Sequence, residues 1–382
     1  MSNKMTSDGR LLVLLAALFI TPTMTRAETS PSGGSRFASH HAKIKEVVAA
    51  AMERHGVPGA GIAVVDDYRI DWVEGFGLRS EDLEDPVGTT TLFQAASISK
   101  PLTALAVLKL VEERRLDLNA DIDAQLKSWH IPASPLLRDR PVTVRGLLSH
   151  SAGVTVHGFP GYPTDTARPS LVEILDGTKP ANTGPIRVDI KPGYLFRYSG
   201  GGYCIVQQWV LDVTGQSFPE FMSQQVLRPL AMADSTYQQP LPNELAARAA
   251  YGHRARRKVI AGHYHVYPEM AAAGLWTTPG DLGKVVIDLS KSLARGDGRL
   301  LSQEAAKEMV TVQKGSCGLG IFVAEKAEQR SFTHDGANEG YRCQMVGFPA
   351  TGRGLVIMTN SNTGGAIFDD VTQAVATAYQ WP

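Results

Sequence analysis

The stretch Phe93-Gln94-Ala95-Ala96-Ser97-Ile98-Ser99-Lys100-Pro101, continued by the apolar run Leu102 to Val111, decides how the rest of the chain is read. As a helix this run is apolar on nearly every face, with only Thr103 and Lys109 interrupting before Glu112, and the element extends to Leu118. A helix apolar all round belongs inside a domain. Pro101 sets its start, because proline is tolerated only in the first turn, where its missing N–H leaves no bond unmade. Ser97 therefore sits at or beside the helix N-terminus. Lys100 is the oddity, since the positive end of the helix dipole disfavours a cation in the first turn. Residues three apart share a helix face, about 5–6 Å between Cβ atoms, so the Lys100 amine reaches the Ser97 hydroxyl. Burial and the dipole both disfavour the charged amine, which suits it to act as base for a serine nucleophile. In the bland alternative Ser97 only caps the helix, although a capping box would carry Glu or Gln at position 100. The segment alone leaves both readings open.

Working outward, 382 residues are enough for a large core and two domains or subdomains. Lys plus Arg total 38 and Asp plus Glu total 38, so nothing marks a nucleic-acid partner. The run Arg254-Ala255-Arg256-Arg257-Lys258 reads as a solvated loop. At the N-terminus, Lys4 and Arg10 precede an apolar segment from Leu11 to Ile20 and then Thr25-Arg26-Ala27. This is a secretory signal-peptide pattern over 1–27 with cleavage expected after Ala27, followed by a flexible leader over 28–38. The apolar segment is too short to span a bilayer, and no other stretch approaches that length, so a secreted or periplasmic protein with no membrane span after signal removal is expected. Cys204, Cys317 and Cys343 form neither a disulfide framework nor a zinc spacing. Cys204 reads as a buried thiol; a Cys317 to Cys343 bridge is left open.

Along the chain, Ser39 to His55 is helical, and Gly61–Asp66 with Arg69–Gly75 form a hairpin around Asp66-Asp67. Thr143 opens a short helix, Val144 to His150, and Val154 to Pro192 looks like a long irregular excursion. Lys191-Pro192-Gly193 turns the chain before Tyr194 to Ser199, and a helix from Tyr203 to Val213 ends at Gly215. Ser217-Phe218-Pro219-Glu220 reads as a capping box, and Thr278-Pro279-Gly280-Asp281 starts a helix to about Leu293. Extended runs at Leu319–Ala324, Arg330–Thr333, Tyr341–Phe348 and Leu355–Thr359 make an antiparallel meander, closed by a helix from Ala366 to Tyr379. Strands at both ends with helices between give an α+β fold: one sheet domain from 39–120 and 270–382, and a mainly helical part, 121–269, inserted into it.

Taken together, Ser97-Ile98-Ser99-Lys100, Tyr198-Ser199-Gly200 and His334-Asp335-Gly336 resemble the three motifs of the penicillin-recognising serine hydrolases. The pattern is similar to the class C β-lactamases with their D-alanyl-D-alanine carboxypeptidase and esterase relatives. Leu147-Leu148-Ser149-His150-Ser151-Ala152-Gly153, Tyr198 to Tyr203 and Gly274-Leu275-Trp276-Thr277-Thr278-Pro279 support it, and the similarity runs from about His40 to the C-terminus. The resemblance implies the β-lactamase/transpeptidase-like fold. It implies that Ser97 attacks a carbonyl while Lys100 and Tyr198 share the work of general base and acid. The oxyanion hole would be the N–H groups of Ser97, at a helix N-terminus, and of Ala337. Gly336 would let the backbone approach the substrate. It calls for no cofactor and no metal.

Two departures bear on the substrate. Where these lactamases show Tyr-x-Asn, this chain has Gly200, and where they show Lys-Thr-Gly it has His334-Asp335-Gly336. A lysine offers a permanent cation to a substrate carboxylate, whereas His334 is largely neutral near pH 7 and Asp335 adds negative charge. This favours a neutral ester, amide or peptide over a β-lactam, unless Arg342 supplies the missing charge. A true β-lactamase and a non-turnover penicillin-binding or peptidoglycan-sensing protein are the alternatives. His263-Tyr264-His265 with His253 is weak as a metal site, lacking a third ligand at a recognisable spacing. No Gly-x-Ser-x-Gly elbow is present. Trp276 and Tyr162 read either as aromatic walls of a cleft or as core.

Overall fold

The computed structural model describes residues 38–113, 117–326 and 329–381. The signal peptide read at 1–27 and nearly all of the leader lie outside the described residues, as does part of the Phe93 to Leu118 element, residues 114–116. Residues 37–382 form one compact unit.

A seven-stranded antiparallel sheet is built from both ends of the chain. Its strands are β1 (Gly59–Asp66), β2 (Arg69–Ser80), β3 (Asp85–Pro86), β4 (Phe322–Lys326), β5 (Gln329–Asn338), β6 (Tyr341–Phe348) and β7 (Arg353–Thr359), in the order β3-β2-β1-β7-β6-β5-β4. Around it lie helices α1 (Ala38–His55), α2 (Ser99–Glu112), α3 (Val144–Leu148), α4 (Leu171–Asp176), α5 (Gly200–Thr214), α6 (Pro279–Arg295) and α7 (Phe368–Ala378), with other short helices, Gln303–Met309 among them, and turns between them. β1 and β7 read as unbroken apolar runs because both faces of the sheet are covered. Ile62, Val64, Leu355 and Ile357 pack with Val48 of α1 and Val371 and Val375 of α7. Their neighbours Ala63, Val65, Val356 and Met358 turn to the other face and join the main core with Val285 of α6 and the apolar residues of α2. Such alternation is the period of a strand. The β1–β2 turn has Asp67 and Tyr68 both at positive φ, as a tight hairpin demands.

Several expected boundaries move. The element starting at Phe93 divides into a two-residue strand paired with Trp276–Thr277, a 3-10 turn at Ala96–Ile98, and α2, with Pro101 in its first turn. The expected strand Arg330–Thr333 is ten residues long and carries His334-Asp335-Gly336 inside it. Leu319 to Ile321 are buried but not extended, and β4 begins at Phe322. The Val154–Pro192 excursion holds α4, which is opened by a true capping box between Ser170 and Glu173. Ser217, by contrast, caps without a side-chain bond. Pro219 at the second helical position has no N–H, so one of the two donors a capping hydroxyl can use is missing. The three cysteines are buried free thiols, so Cys317 and Cys343 are not bridged.

Candidate active site

Ser97 sits in the 3-10 turn just ahead of α2 and is the one half-buried residue in a stretch that is otherwise buried from Thr91 to Lys100. Ala96 before it has φ +50°, a left-handed conformation that costs a residue with a Cβ about 1 kcal/mol. The turn is pinned from several sides. Ser99 Oγ donates to the Ala96 carbonyl (2.6 Å) and accepts from the Leu275 N–H (3.0 Å), and the Ala95 N–H donates to the Leu275 carbonyl (2.9 Å). The Gly274–Pro279 phrase thus holds the serine turn in place.

Lys100 is 2% exposed. Its Nζ donates to Ser97 Oγ (2.9 Å) and to the Ala272 carbonyl (2.8 Å), and lies 4.9 Å from the centre of the Tyr198 ring. Tyr198 is half-buried and directly precedes Ser199, the N-cap of α5, whose Oγ accepts from the Gly202 N–H at 3.0 Å. Among the described residues no hydrogen bond joins the Tyr198 hydroxyl to Ser97 or Lys100. The tyrosine presents its ring to the amine.

Two histidines complete the cluster. The rings of His150 and Tyr198 are 4.3 Å apart, and those of Tyr198 and His334 are 6.3 Å apart. Burial, reinforced by Lys100, pushes the His334 imidazole down to about 3. Burial also holds His150 well below its ordinary value, helped by Lys100, His334 and His157. Both rings are therefore neutral across the physiological range. His334 Nδ1 lies 2.7 Å from the Asp335 carbonyl, which can only accept, so the proton is on Nδ1 and Nε2 carries a lone pair. His150 has the opposite tautomer, because its Nδ1 accepts from the Ser199 N–H at 3.1 Å. Both Nε2 atoms are buried without a partner among the described residues.

β4 pairs with β5 only as far as Phe322 opposite Thr333, so the edge of β5 from His334 to Asn338 is unpaired on that side. Gly336 lies across the ladder from Cys343, and a side chain there would collide with the Ala95 carbonyl. That close approach is what brings the Ser97 turn to the strand. Of the other residues singled out in the sequence, Ala337 is exposed on this free edge. Asp335 and Arg342 do not join the cluster. The two-residue period of the strand turns them away from the face that carries His334, Gly336 and Cys343. Arg342 Nη1 is engaged instead by the carbonyls of Asn338 (2.8 Å) and Tyr341 (2.7 Å). Gly200 is buried, and a Cβ on it would lie 2.8 Å from the Phe159 ring and 3.2 Å from the His157 carbonyl. A side chain there has no room, so Gly200 fits the loop above it.

Trp276 and Tyr162 are both core residues, 0% and 3% exposed. His253 Nδ1 lies 2.9 Å from the Asn360 carbonyl, His265 Nδ1 lies 2.9 Å from the Pro160 carbonyl, and His263 stacks on Tyr251. The basic run is ion-paired, Arg254 to Glu339 and Arg257 to Glu53 and Glu81. His150 is the residue that sequence reasoning missed as part of the site. It stands in the Leu147–Gly153 phrase, but no spacing ties it to Tyr198. Glu269 was missed as well. It is fully buried just ahead of the short helix Met270–Ala273 whose Ala272 carbonyl takes Lys100, and burial raises its carboxyl to about 8.

This fold is that of the serine β-lactamases and penicillin-binding proteins. The chain belongs to the β-lactamase family, whose profile matches residues 44–380. It is 26% identical over 357 residues to penicillin-binding protein 4 of Amycolatopsis lactamdurans, covering 87% of this chain and 88% of that one. It is 27% identical over 203 residues to protein flp of Staphylococcus aureus (strain N315), covering 52% of this chain and 38% of that relative. The chain thus spans under two fifths of the length of the first curated relatives it matches. Its fold is similar to an octameric penicillin-binding protein homologue from Pyrococcus abyssi (TM-score 0.74, 23% identity, covering 89% and 77% of the two chains). It is also similar to a D-amino acid amidase from Ochrobactrum anthropi SV3 (TM-score 0.68, 22% identity, covering 88% and 99%).

Proposed function

We propose that the chain is an exported serine hydrolase that works through an acyl-enzyme at Ser97 on an ester, amide or D-amino-acid peptide that is neutral at its reacting end. The observation that carries this reading is the 2.9 Å bond between Lys100 Nζ and Ser97 Oγ inside a buried cluster. Ser97 Oγ attacks the carbonyl carbon and gives its one proton to the Lys100 amine it already meets, and Lys100 and Tyr198 together return that proton to the leaving group. The N–H groups of Ser97 and Ala337 receive the oxyanion, the leaving group takes the proton, and water then releases the acid. Export rests on the signal-peptide pattern at 1–27 and is tested by finding the mature N-terminus at Glu28 in the extracytoplasmic fraction.

His334 supports the substrate class. A neutral, buried ring offers no cation to a substrate carboxylate, whereas a lysine at this position would. A neighbour of the same fold is a D-amino acid amidase. The family profile and the likeness to a penicillin-binding protein favour a second reading, acylation by β-lactams with fast or slow release. One assay separates them: p-nitrophenyl acetate and butyrate, a D-amino-acid amide and nitrocefin, with Ser97→Ala as control. Ester or amide turnover that disappears in the control, with little nitrocefin hydrolysis, is expected. Rapid nitrocefin turnover overturns the neutral-substrate reading, and a penicillin label that persists for hours identifies a non-turnover protein.

A further inference from the structure

A cavity of about 380 Å³ opens beside the Leu147–Ala152 segment. Arg140, Arg145 and Lys314 line it together with the hydroxyl-bearing Thr143, Ser149 and Ser151, and none of the described lining residues is acidic. Arg145 is locked in place at each guanidinium nitrogen: Nη2 to Glu308 (2.7 Å), Nε to the Asn119 side-chain carbonyl (2.8 Å) and Nη1 to that of Gln313 (3.4 Å). Glu308 balances that one charge. Arg140 and Lys314 have no carboxylate partner among the described residues, and the acid next to Arg140 in sequence, Asp139, is taken by Lys191 at 3.1 Å. Three cations against one paired carboxylate leave an excess of two positive charges around one concavity. Like charges gathered this way repel unless an anion sits between them.

We propose that this cavity binds the phosphate group of a small molecule. A phosphomonoester carries about −1.5 to −2 charge near pH 7, which matches the excess, and planar guanidinium groups suit its oxygens. The volume lies at the small end of ligand pockets, roughly 300–1,000 Å³, so it accommodates a phosphate on an organic body of sugar size. None of the lining residues belongs to the Ser97, Lys100, Tyr198 and His334 cluster, so the site does not depend on the hydrolase reading.

The test is calorimetric titration of the full chain with glucose 6-phosphate and with inorganic phosphate, at constant ionic strength and near pH 7. The sugar phosphate is expected to bind about tenfold more tightly than inorganic phosphate, and Arg140→Ala/Lys314→Ala to weaken both by about tenfold or more. Equal affinity for the two ligands, lost in the double variant, assigns the site to free phosphate and upholds it. Ser97→Ala binds as the parent does. Both basic residues are at least partly exposed, so the double variant keeps its fold, checked by an unchanged thermal midpoint. No binding at millimolar ligand, or binding that the double variant leaves unchanged, overturns the proposal.

Discussion

Lys100 Nζ donates to the Ala272 carbonyl oxygen at 2.8 Å, tying the amine that meets Ser97 to a segment far along the chain. Gln207 clamps that segment from α5, accepting from the Ala271 N–H (2.9 Å) and donating to the Pro268 carbonyl (3.0 Å). Lys100→Ala removes the partner of Ser97 and leaves the proposed oxyanion donors, the N–H groups of Ser97 and Ala337, in place. Acylation by p-nitrophenyl acetate is expected to fall about a thousandfold. The stranded Ala272 carbonyl lowers stability by about 1–3 kcal/mol without unfolding the chain. Stopped-flow acylation and a urea titration check the two halves, and parental acylation in this variant sinks the role given to Lys100.

The neutral His334 has a consequence for acid stability. Its folded value is depressed to about 3, so the unfolded chain binds the extra proton first as pH falls. The stability associated with the neutral ring is complete above about pH 6.5 and is lost as pH falls from there towards 3. At about pH 4.5 the loss comes to roughly 2–3 kcal/mol. His334→Gln removes this contribution, while His150, held down by the same burial, keeps its own. Urea midpoints measured at about pH 7 and pH 4.5 should therefore lie closer together in the variant than in the parent. Equal spacing in the two proteins contradicts a buried neutral imidazole.

What the sequence made legible follows from period and from local chemistry. β6 was found at its full length, since Tyr341 to Phe348 alternates buried and half-buried along a strand covered on one side more than the other. α2 was legible because apolar residues on every face have one physical solution, burial. The Ser97 to Lys100 contact was legible because three residues along a helical turn fix a distance. Asp335 and Arg342 were misplaced because a motif gives an order of residues and not the face each occupies; strand alternation decides that. The motif presents Gly200 as a missing amide, whereas in space Phe159, forty-one positions earlier, fills the place a side chain would take. His150 and Glu269 escaped notice because their importance comes from burial beside Lys100 and its carbonyl partner, contacts that no local pattern encodes.

Glu269 supplies the opposite pH limb. Both of its carboxyl oxygens are buried without a hydrogen bond of normal geometry, Tyr162 being a polar neighbour, and burial raises the group to about 8. The folded chain therefore holds a proton that the unfolded chain releases near its ordinary value of 4.5. Stability is full below about pH 4.5 and is lost as pH rises towards 8. Glu269→Gln keeps the shape and removes the titration. The variant should gain stability on the order of 3 kcal/mol at about pH 9 and almost none at about pH 4. Urea titrations at the two pH values decide it; a gain of equal size at both assigns the effect to packing instead.

Gly200→Asn tests whether the departure at the tyrosine motif is one of chemistry or of space. The first atom of any side chain at 200 meets the Phe159 ring at 2.8 Å and the His157 carbonyl at 3.2 Å, and the Gly200 N–H is already spent on that carbonyl at 3.0 Å. Overpacking of this kind costs about 1–3 kcal/mol. The 155–159 loop, whose His157 ring lies 4.9 Å from that of Tyr198, must move to make room. The variant is expected to lose stability by that amount and to gain no nitrocefin hydrolysis, since the proposed substrate preference rests on the neutral His334, which the variant keeps. Nitrocefin turnover raised tenfold or more over the parent, at parental stability, would show that the missing amide alone had set the substrate preference and that the packing around Gly200 yields to it.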